Sequence, residues 1–170
     1  MRDMLVLTVS GPDRPGLVEA LAAKLAGVGA NWEESRMARL AGQFAGVLLV
    51  TVERARTDEL VAALRGKDVG GLQVTVHSTR AAEDTRGTRL RLQITAQDRP
   101  GIIRDVSRVL REHGANIEEL ETGVESAPMS GERMFHATLE LLVASTTTVA
   151  GVRTALEGLA SELMVDLAEV

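Results

Sequence analysis

Hydrophobic and polar residues follow two different periods at the beginning of the chain. Leu5, Leu7 and Val9 recur at every second position, which is the period of a β-strand. A break rich in Gly and Pro follows at 11–16, and apolar residues then recur at the spacing of an α-helix. These helical positions are Leu17, Val18, Leu21, Leu25 and Val28. Pro15 suits the start of the helix and Gly29 suits its end. The pattern predicts a strand followed by a helix.

Three further strands and a second helix are predicted before position 79. Apolar periodicity indicates strands at about 31–40, 44–53 and 72–76. A short amphipathic helix is expected before the last of them, with Thr57 and Asp58 as its N-terminal cap. The predicted order of elements is therefore βαββαβ.

The same pattern occurs again later in the chain. Asp13-Arg14-Pro15-Gly16 matches Asp98-Arg99-Pro100-Gly101, a shift of 98 − 13 = 85 positions. At the same shift, Gly29-Ala30-Asn31 matches Gly114-Ala115-Asn116. A long period that occurs only twice is typical of a duplicated domain, because solenoids need three or more repeats.

We therefore predict two domains, 1–79 and 88–170, joined by a charged linker at 80–87. The second copy is expected to have strands at about 88–96, 115–124, 132–143 and 164–169 and helices at about 101–113 and 147–163. Phe44 aligns with Phe135 only at a shift of 91, so the second copy has 91 − 85 = 6 extra residues within 123–131. This insertion predicts a longer and more mobile hairpin loop.

The order βαββαβ predicts an α+β protein with two ferredoxin-like domains, each an antiparallel sheet with helices on one face. The uncovered sheet faces differ in composition. In the first domain this face carries Met4, Val6, Ala45, Val47 and Leu49. In the second domain it carries Arg89, Arg91, Gln93, His136, Thr138 and Glu140. We expect the first face to pack against another sheet, of the same chain or of a partner subunit, and the second to face water.

Composition and charge exclude several classes of protein. The chain of 170 residues has no cysteine, which excludes disulfides, thiolate nucleophiles and cysteine metal sites. The apolar run at 4–9 is too short for a signal peptide, and no run is long enough to span a membrane, so a cytoplasmic protein is expected. The net charge of −5 arises entirely within 88–170, and no basic cluster indicates direct binding to nucleic acid.

Catalytic and metal-binding patterns are absent from the sequence. His77, His113 and His136 are dispersed and have no partner at a meaningful spacing, so we predict no enzyme activity and no cofactor. An acidic run is present at Glu118, Glu119, Glu121 and Glu125. Strand alternation would send these side chains to both sheet faces, which favours a solvated edge over a cation site.

The duplicated Asp-Arg-Pro-Gly loops are the best candidates for chemistry. Unsatisfied N–H groups at a helix start attract a carboxylate, and glycine allows a ligand to approach the backbone closely. The Asp side chain could cap the helix or receive an ammonium group, and the Asn that starts the next strand offers a donor and an acceptor. A zwitterionic amino acid would suit this set. The candidate ligand-binding residues are Asp13, Arg14, Gly16, Asn31, Asp98, Arg99, Gly101 and Asn116.

A purely structural interpretation of these residues is equally simple. The loop would then be a well-formed helix start, and the asparagine a turn residue. Duplication does not separate the two interpretations, because a structural device is copied as faithfully as a binding site. Trp32, which replaces the Ile117 of the second copy beside Asn31, is either a core residue or a residue that shapes one pocket differently.

The succession of apolar strand, Asp-Arg-Pro-Gly, helix, Gly-Ala-Asn and strand resembles the ACT domain, the small-molecule sensing module of amino-acid metabolism. The resemblance covers almost the whole chain in two copies. The chain as a whole is similar to the tandem-ACT proteins of the glycine cleavage system transcriptional repressor family. The resemblance implies an amino acid, with glycine as the ligand of the family, bound where ACT domains meet by residues of Asp13–Gly16 and Asp98–Gly101 and by Asn31 and Asn116.

Two functional hypotheses follow from this resemblance. The first is a non-catalytic sensor whose amino-acid ligand changes its association with a protein partner in transcriptional control, without direct nucleic-acid or membrane binding. The alternative is a regulatory subunit that acts in trans on an enzyme of amino-acid metabolism. In both, the chain is expected to form a homodimer.

Overall fold

The structure of the chain is a computed structural model, which describes residues 1–65, 68–78, 87–127, 131–144, 149–159 and 163–169. The chain divides into two compact units, Met1–Glu83 and Asp84–Val170, which are taken one at a time below. The predicted linker at 80–87 lies outside the described residues except for Gly87.

The described residues of the first unit form one antiparallel sheet, two α-helices and a short 3-10 helix at Arg54–Arg56. Its elements are β1 (Arg2–Pro12), α1 (Leu17–Gly27), β2 (Asn31–Leu40), β3 (Gln43–Glu53), α2 (Thr57–Leu64), β4 (Asp68–Val69) and β5 (Leu72–Ser78). The strand order is β2-β3-β1-β5-β4, and every neighbouring pair is antiparallel. Strand β4 is a two-residue strand that the sequence pattern did not predict.

The second unit repeats this plan. Its elements are β6 (Thr88–Gln97), α3 (Ile102–Glu112), β7 (Ala115–Ser126), β8 (Arg133–Val143), α4 (Val149–Glu157) and β9 (Met164–Glu169). The order β7-β8-β6-β9 is again antiparallel throughout. The predicted fold class, α+β with two ferredoxin-like domains, is confirmed.

Each unit has an aliphatic core between its sheet and its helices. In the first unit, Leu7, Leu21 and Leu48 are fully buried, and Leu92, Leu110 and Leu139 are fully buried in the second. Leu7 and Leu92 are 85 positions apart, so the duplicated pattern places equivalent residues in equivalent cores. Packing these residues against the helix faces removes apolar surface from water and stabilises each unit.

Val18 lies in α1 as predicted, but it is 46% exposed, because the buried stripe of the helix passes through Leu17, Leu21 and Leu25. Two local predictions were wrong. Thr57 does not cap α2, since its hydroxyl donates a hydrogen bond of 2.8 Å to Asp3 on β1. Helix α4 ends at Glu157 in a turn rather than at 163, and its predicted start at 147 lies outside the described residues.

The hairpin that follows α1 in the first unit is shorter than the hairpin that follows α3 in the second unit, as the insertion predicts. Strands β2 and β3 are joined by a two-residue turn, in which Ala41 and Gly42 both have a positive φ. Strand β7 instead continues to Ser126, and β8 begins at Arg133. Residues 128–130 of the longer loop, where the predicted mobility would be centred, lie outside the described residues.

The sheet faces opposite the helices carry the residues predicted for them. We call Met4, Val6, Ala45, Val47 and Leu49 the first open face. Val47 is 47% exposed and Met4 is 37% exposed, whereas Val6 and Leu49 are half-buried. On the second sheet, Arg91 of β6 lies opposite Glu140 of β8 and forms an ion pair with it at 2.7 Å.

Candidate functional site

The Asp-Arg-Pro-Gly loops have the same backbone geometry in both units. Gly16 has φ 90° and precedes α1, and Gly101 has φ 92° and precedes α3. This left-handed conformation favours glycine over residues with a Cβ. The first hydrogen bonds of the helices run from Ala20 N to Gly16 O (2.9 Å) and from Asp105 N to Gly101 O (3.0 Å). The glycine therefore makes the sharp entry from strand to helix.

The N–H groups of the first turn of each helix are not capped by a side chain. Neither Gly16 nor Gly101 supplies a side-chain cap, and no other side chain is hydrogen-bonded at the cap position. The amides at 17–19 and 102–104 precede the first intrahelical bond, so they face outward at the positive end of the helix dipole. This arrangement can accept a carboxylate.

Asp13 and Asp98 do not cap the helices, contrary to one of the predicted roles. Asp13 forms an ion pair with Arg39 on β2, and Asp98 forms one with Arg133 on β8 at 3.0 Å. The two aspartates make their backbone contacts in the same way, through Asp13 N to Gly42 O (2.9 Å) and Asp98 N to Arg133 O (2.8 Å). Each aspartate ties its loop to the neighbouring hairpin, although the two arginines occupy non-equivalent positions.

The arginine that follows each aspartate has a different partner in each unit. Arg14 donates from Nε (3.1 Å) and Nη2 (2.5 Å) to the carbonyl of Gly70, in the turn between β4 and β5. Arg99 instead donates to Asp105 in the first turn of α3, at 3.2 Å. Arg14 therefore holds a turn of its own domain, whereas the guanidinium of Arg99 stays beside the start of the helix.

The start of α3 carries more positive charge than the start of α1. Three arginines with two aspartates surround the start of α3, and two arginines with two acids surround the start of α1. The first group consists of Arg99, Arg104, Arg133, Asp98 and Asp105, and the second of Arg14, Arg39, Asp13 and Glu19. Hydrogen bonds from Arg104 and Arg99 hold the pKa of Asp105 below its ordinary value. An incoming carboxylate therefore meets a more favourable potential at α3.

The two candidate asparagines also differ in their bonding. Asn31 donates to Glu33 Oε1 at 2.9 Å, and Thr51 donates to the same oxygen at 2.6 Å. Glu118, the equivalent of Glu33, instead pairs with Arg89 at 3.2 Å.

This difference leaves the second asparagine available. Arg89 occupies the position that Met4 has in the first unit, since 89 − 4 = 85, and Met4 cannot compete for the carboxylate. Within the described residues, the side chain of Asn116 has no hydrogen-bond partner. The amide of Asn116 is exposed and free for a ligand, whereas that of Asn31 is already used.

The loop and the asparagine of one unit lie at opposite ends of its sheet, so they are not adjacent as the sequence suggested. Asn31 pairs with Thr51, which pairs with Met4 near the beginning of β1. The loop follows Pro12, eight residues further along β1. At about 3.3 Å per residue this separation is about 26 Å. In the second unit Asn116 is level with Arg89 and the loop follows Gln97, so the separation is the same.

Trp32 is half-buried and packs against the first core. It pairs with Val50 of β3, which is fully buried, and packs against the first core from the helix-covered side of the sheet. A bulge between Trp32 and Glu34 then shifts the register of β2. The aromatic ring therefore points away from the open face on which Asn31 lies.

The residues that determine how the two sites differ were not identified from the sequence. They are Glu33, Arg39, Arg89, Arg104, Asp105 and Arg133. A comparison of the two copies at equivalent positions could have found some of them, because Met4 is replaced by Arg89 and Ala20 by Asp105. Nothing in the comparison of the two copies indicates that Asp13 pairs with Arg39 whereas Asp98 pairs with Arg133.

Neither a metal site nor a membrane-spanning helix is found among the described residues. In the part of the chain that the structure describes, no group of three or more His, Asp or Glu side chains is placed to hold a metal ion. Among the same residues, no helix combines the length and apolar composition needed to cross a bilayer.

Comparisons with known proteins match both units. Two family models described as the ACT domain match the chain, one over residues 3–77 and the other over residues 85–161. The glycine cleavage system transcriptional repressor of Escherichia coli K12 is 25% identical over 161 residues, which cover 94% of this chain and 85% of that protein.

Two solved structures extend the likeness over the whole chain. A crystal structure described as an unknown protein from Galdieria sulphuraria has a TM-score of 0.83 at 31% identity, over 100% of this chain and 99% of that one. A candidate glycine cleavage system transcriptional repressor has a TM-score of 0.70 at 17% identity, over 100% and 98% of the two chains. At that identity the second likeness concerns the fold alone.

Proposed function

The chain belongs to the ACT-domain family, with two such domains in tandem, and on this premise we propose that it is a non-catalytic, cytoplasmic regulatory protein that senses a small amino acid. The ligand changes its association with a protein partner in the transcriptional control of amino-acid metabolism. The similarity to the Escherichia coli repressor over 94% of the chain supports this role and makes glycine the first ligand to test.

The observation that carries the proposal is the asymmetry between the two domains. The start of α3 combines uncapped amides with three nearby arginines, and the amide of Asn116 is free within the described residues. In the first domain Arg14 is bound to Gly70 and Asn31 to Glu33. We therefore assign ligand binding to the residues of the second domain: Asp98, Arg99, Gly101 and Asn116.

A small amino acid cannot span the distance of about 26 Å between the loop and the asparagine of one sheet. The asparagine that meets a ligand held by a loop therefore belongs to another ACT domain. The carboxylate of the ligand would bind the amides at the start of α3 of one copy, and Asn116 Oδ1 of a second copy would accept from the ammonium group. Such binding joins two domains through one ligand, so ligand affinity and assembly share one coupling free energy.

The partner is a protein rather than nucleic acid. The sequence from 88 to 170 carries all of the net charge of −5, and this would repel phosphate. In the proposed mechanism the chain acts on transcription by holding or releasing a regulator. Capture of an amino-acid metabolic enzyme from the native cell, with no transcription regulator, would instead favour a regulatory subunit acting in trans.

Thermal unfolding of the full chain in the presence of each of the twenty amino acids tests the proposal. A ligand at 100 times its Kd should stabilise the chain by about 2.7 kcal/mol, which is a shift of several degrees. A flat response to all twenty amino acids would contradict amino-acid sensing.

Matched asparagine variants test the assignment to the second domain. Asn116→Ala is expected to weaken binding measured by calorimetry about tenfold or more, which corresponds to about 1.4 kcal/mol. Asn31→Ala is the control and is expected to leave the affinity unchanged, because its amide is bonded to Glu33. Equal losses in the two variants, or none in either, would remove the assignment.

A further inference from the structure

The first open face is an exposed apolar surface on an otherwise well-packed domain. Val47 and Met4 are 47% and 37% exposed, and the five residues of this face carry no charge. A contiguous apolar patch of this kind on a folded domain marks an interaction surface, because exposure to water costs free energy.

The duplicated domain shows what this sheet face looks like when it is charged. Val6 pairs with Leu49 between β1 and β3, and the equivalent pair between β6 and β8 is Arg91 with Glu140. The Arg91 and Glu140 side chains form an ion pair at 2.7 Å. The fold therefore accepts charged residues at these positions, and the apolar residues of the first copy are not required by its own core.

The shape of the first open face is complementary to that of a second copy of the same face. Near the end of β1, a shallow depression of about 440 Å³ is lined on this face by Thr8, Ser10, Ala45, Val47, Gln73 and Thr75. Met4, an exposed and flexible side chain, lies six residues before Ser10 on the same strand. A twofold axis through the middle of β1 would bring the Met4 of each copy over the depression of the other. Such an isologous contact is the usual form of a homodimer interface.

The area of the face is sufficient for a stable dimer. Four neighbouring strands at a spacing of about 4.8 Å are about 19 Å wide, and a strand of the length of β1 is about 37 Å long. Each copy therefore offers about 700 Å², and two copies would bury about 1,400 Å², within the range of specific interfaces. The neutral side chains lie on β1 and β3 in the middle of this area, whereas β2 places the ion pair of Glu34 and Arg36 on the same face beside Leu49 and Val47. An apolar centre with a polar rim is the usual composition of a specific interface between proteins.

We propose that the first open face is the contact between two copies of this chain, packed face to face about a twofold axis with each Met4 in the depression of the other. This inference rests on the homodimer expected from the sequence and not on ligand binding. It is tested without ligand, so that its failure leaves amino-acid sensing untouched.

The first experiment measures the mass of the chain in solution by sedimentation. Wild-type protein is expected at twice the monomer mass of 18.1 kDa. Val6→Arg/Leu49→Glu reproduces the ion pair that the second sheet already carries, so it should fold, and it is expected to raise the dimer Kd at least about a hundredfold. Val47→Arg, a single charge on the first open face, is also expected to weaken the dimer. Thr138→Arg, at the equivalent position of the second sheet since 138 − 47 = 91, is its control and should remain dimeric.

The second experiment uses the absence of cysteine from the chain. Met4→Cys/Ser10→Cys places two thiols six residues apart on one strand, too far apart to bond within one copy. Mild oxidation is expected to give a covalent dimer. The matched variant Arg89→Cys/Thr95→Cys on the second sheet should give none. A monomeric wild-type chain, an unchanged dimer in Val6→Arg/Leu49→Glu, or equal cross-linking of the two cysteine pairs would overturn the proposal.

Discussion

Glu33 accepts a hydrogen bond of 2.9 Å from the amide of Asn31, and this bond distinguishes the first candidate site from the second. Thr51 donates to the same carboxylate oxygen, and the two donors hold the pKa of Glu33 below its ordinary value of 4.5. The carboxylate form is stabilised in the folded chain, so this part of the stability of the first domain depends on pH.

The sign of this dependence follows from the lowered pKa. A carboxyl whose pKa is lower in the folded than in the unfolded chain stabilises the fold above the unfolded value, here near 4.5. The contribution is lost as the pH falls through the folded value. Glu33→Gln is therefore expected to lower the melting temperature at about pH 7, and the difference from wild type should disappear well below pH 4.5.

Glu121→Gln is the control for this measurement, because it removes the same charge from an exposed strand of the second sheet. It is expected to leave the melting temperature nearly unchanged at either pH. If Glu33→Gln lowered the melting temperature by the same amount at every pH, the carboxylate would not be the source of the stability.

Substitution of the two arginines of the repeated motif is expected to have different effects: one variant should lose stability and the other should lose ligand affinity. Arg14→Ala removes two hydrogen bonds to the Gly70 carbonyl, so it is expected to lower the free energy of unfolding by about 1 kcal/mol. It should leave ligand affinity unchanged. Arg99→Ala loses only a surface contact with Asp105 and should alter stability little, while weakening ligand binding several-fold.

Urea unfolding and calorimetry on the same two variants check this prediction. Trp32, which packs against the first core, provides a fluorescence signal for the unfolding of the first domain. The division of roles would be wrong if Arg14→Ala weakened binding as much as Arg99→Ala does.

Gly46 is expected to be sensitive to substitution because β2 passes close to it. A Cβ at this position would lie 2.5 Å from Met37 Cγ and 2.6 Å from the carbonyl oxygen of Arg36. Gly46→Ala is therefore expected to destabilise the first domain by about 1–3 kcal/mol in urea unfolding. Gly123→Ala, where a Cβ would meet nothing within 4 Å, is the matched strand control and should be nearly neutral.

The fold was largely predictable because its signals are local. Two-residue and helical periods identified the strands and helices, and the repeat showed that Leu7 and Leu92 have equivalent places in two cores. The errors lie at element ends, such as Thr57, where the cap competed with a contact made across the fold. Asp3 on β1 accepts from both Arg54 and Thr57, and no pattern near Thr57 indicates this partner.

The candidate site was predictable only in part, because its residues are used by contacts that are distant in sequence. Arg14 and Arg99 stand in identical motifs, yet Gly70 is available to the first and Asp105 to the second. The separation of Asn31 from its loop follows from strand register, since β2 starts level with the beginning of β1.

The sequence by itself determined the duplicated domain, its element order and the composition of its sheet faces, because these depend on local periodicity and on comparison of two copies. Only the tertiary structure decided which polar groups remain available. A carboxylate or a guanidinium takes the partner that strand register brings within reach. Two replacements, Met4 by Arg89 and Thr51 by Leu142, therefore draw Glu118 away and leave Asn116 free among the described residues, while Asn31 remains bound to Glu33.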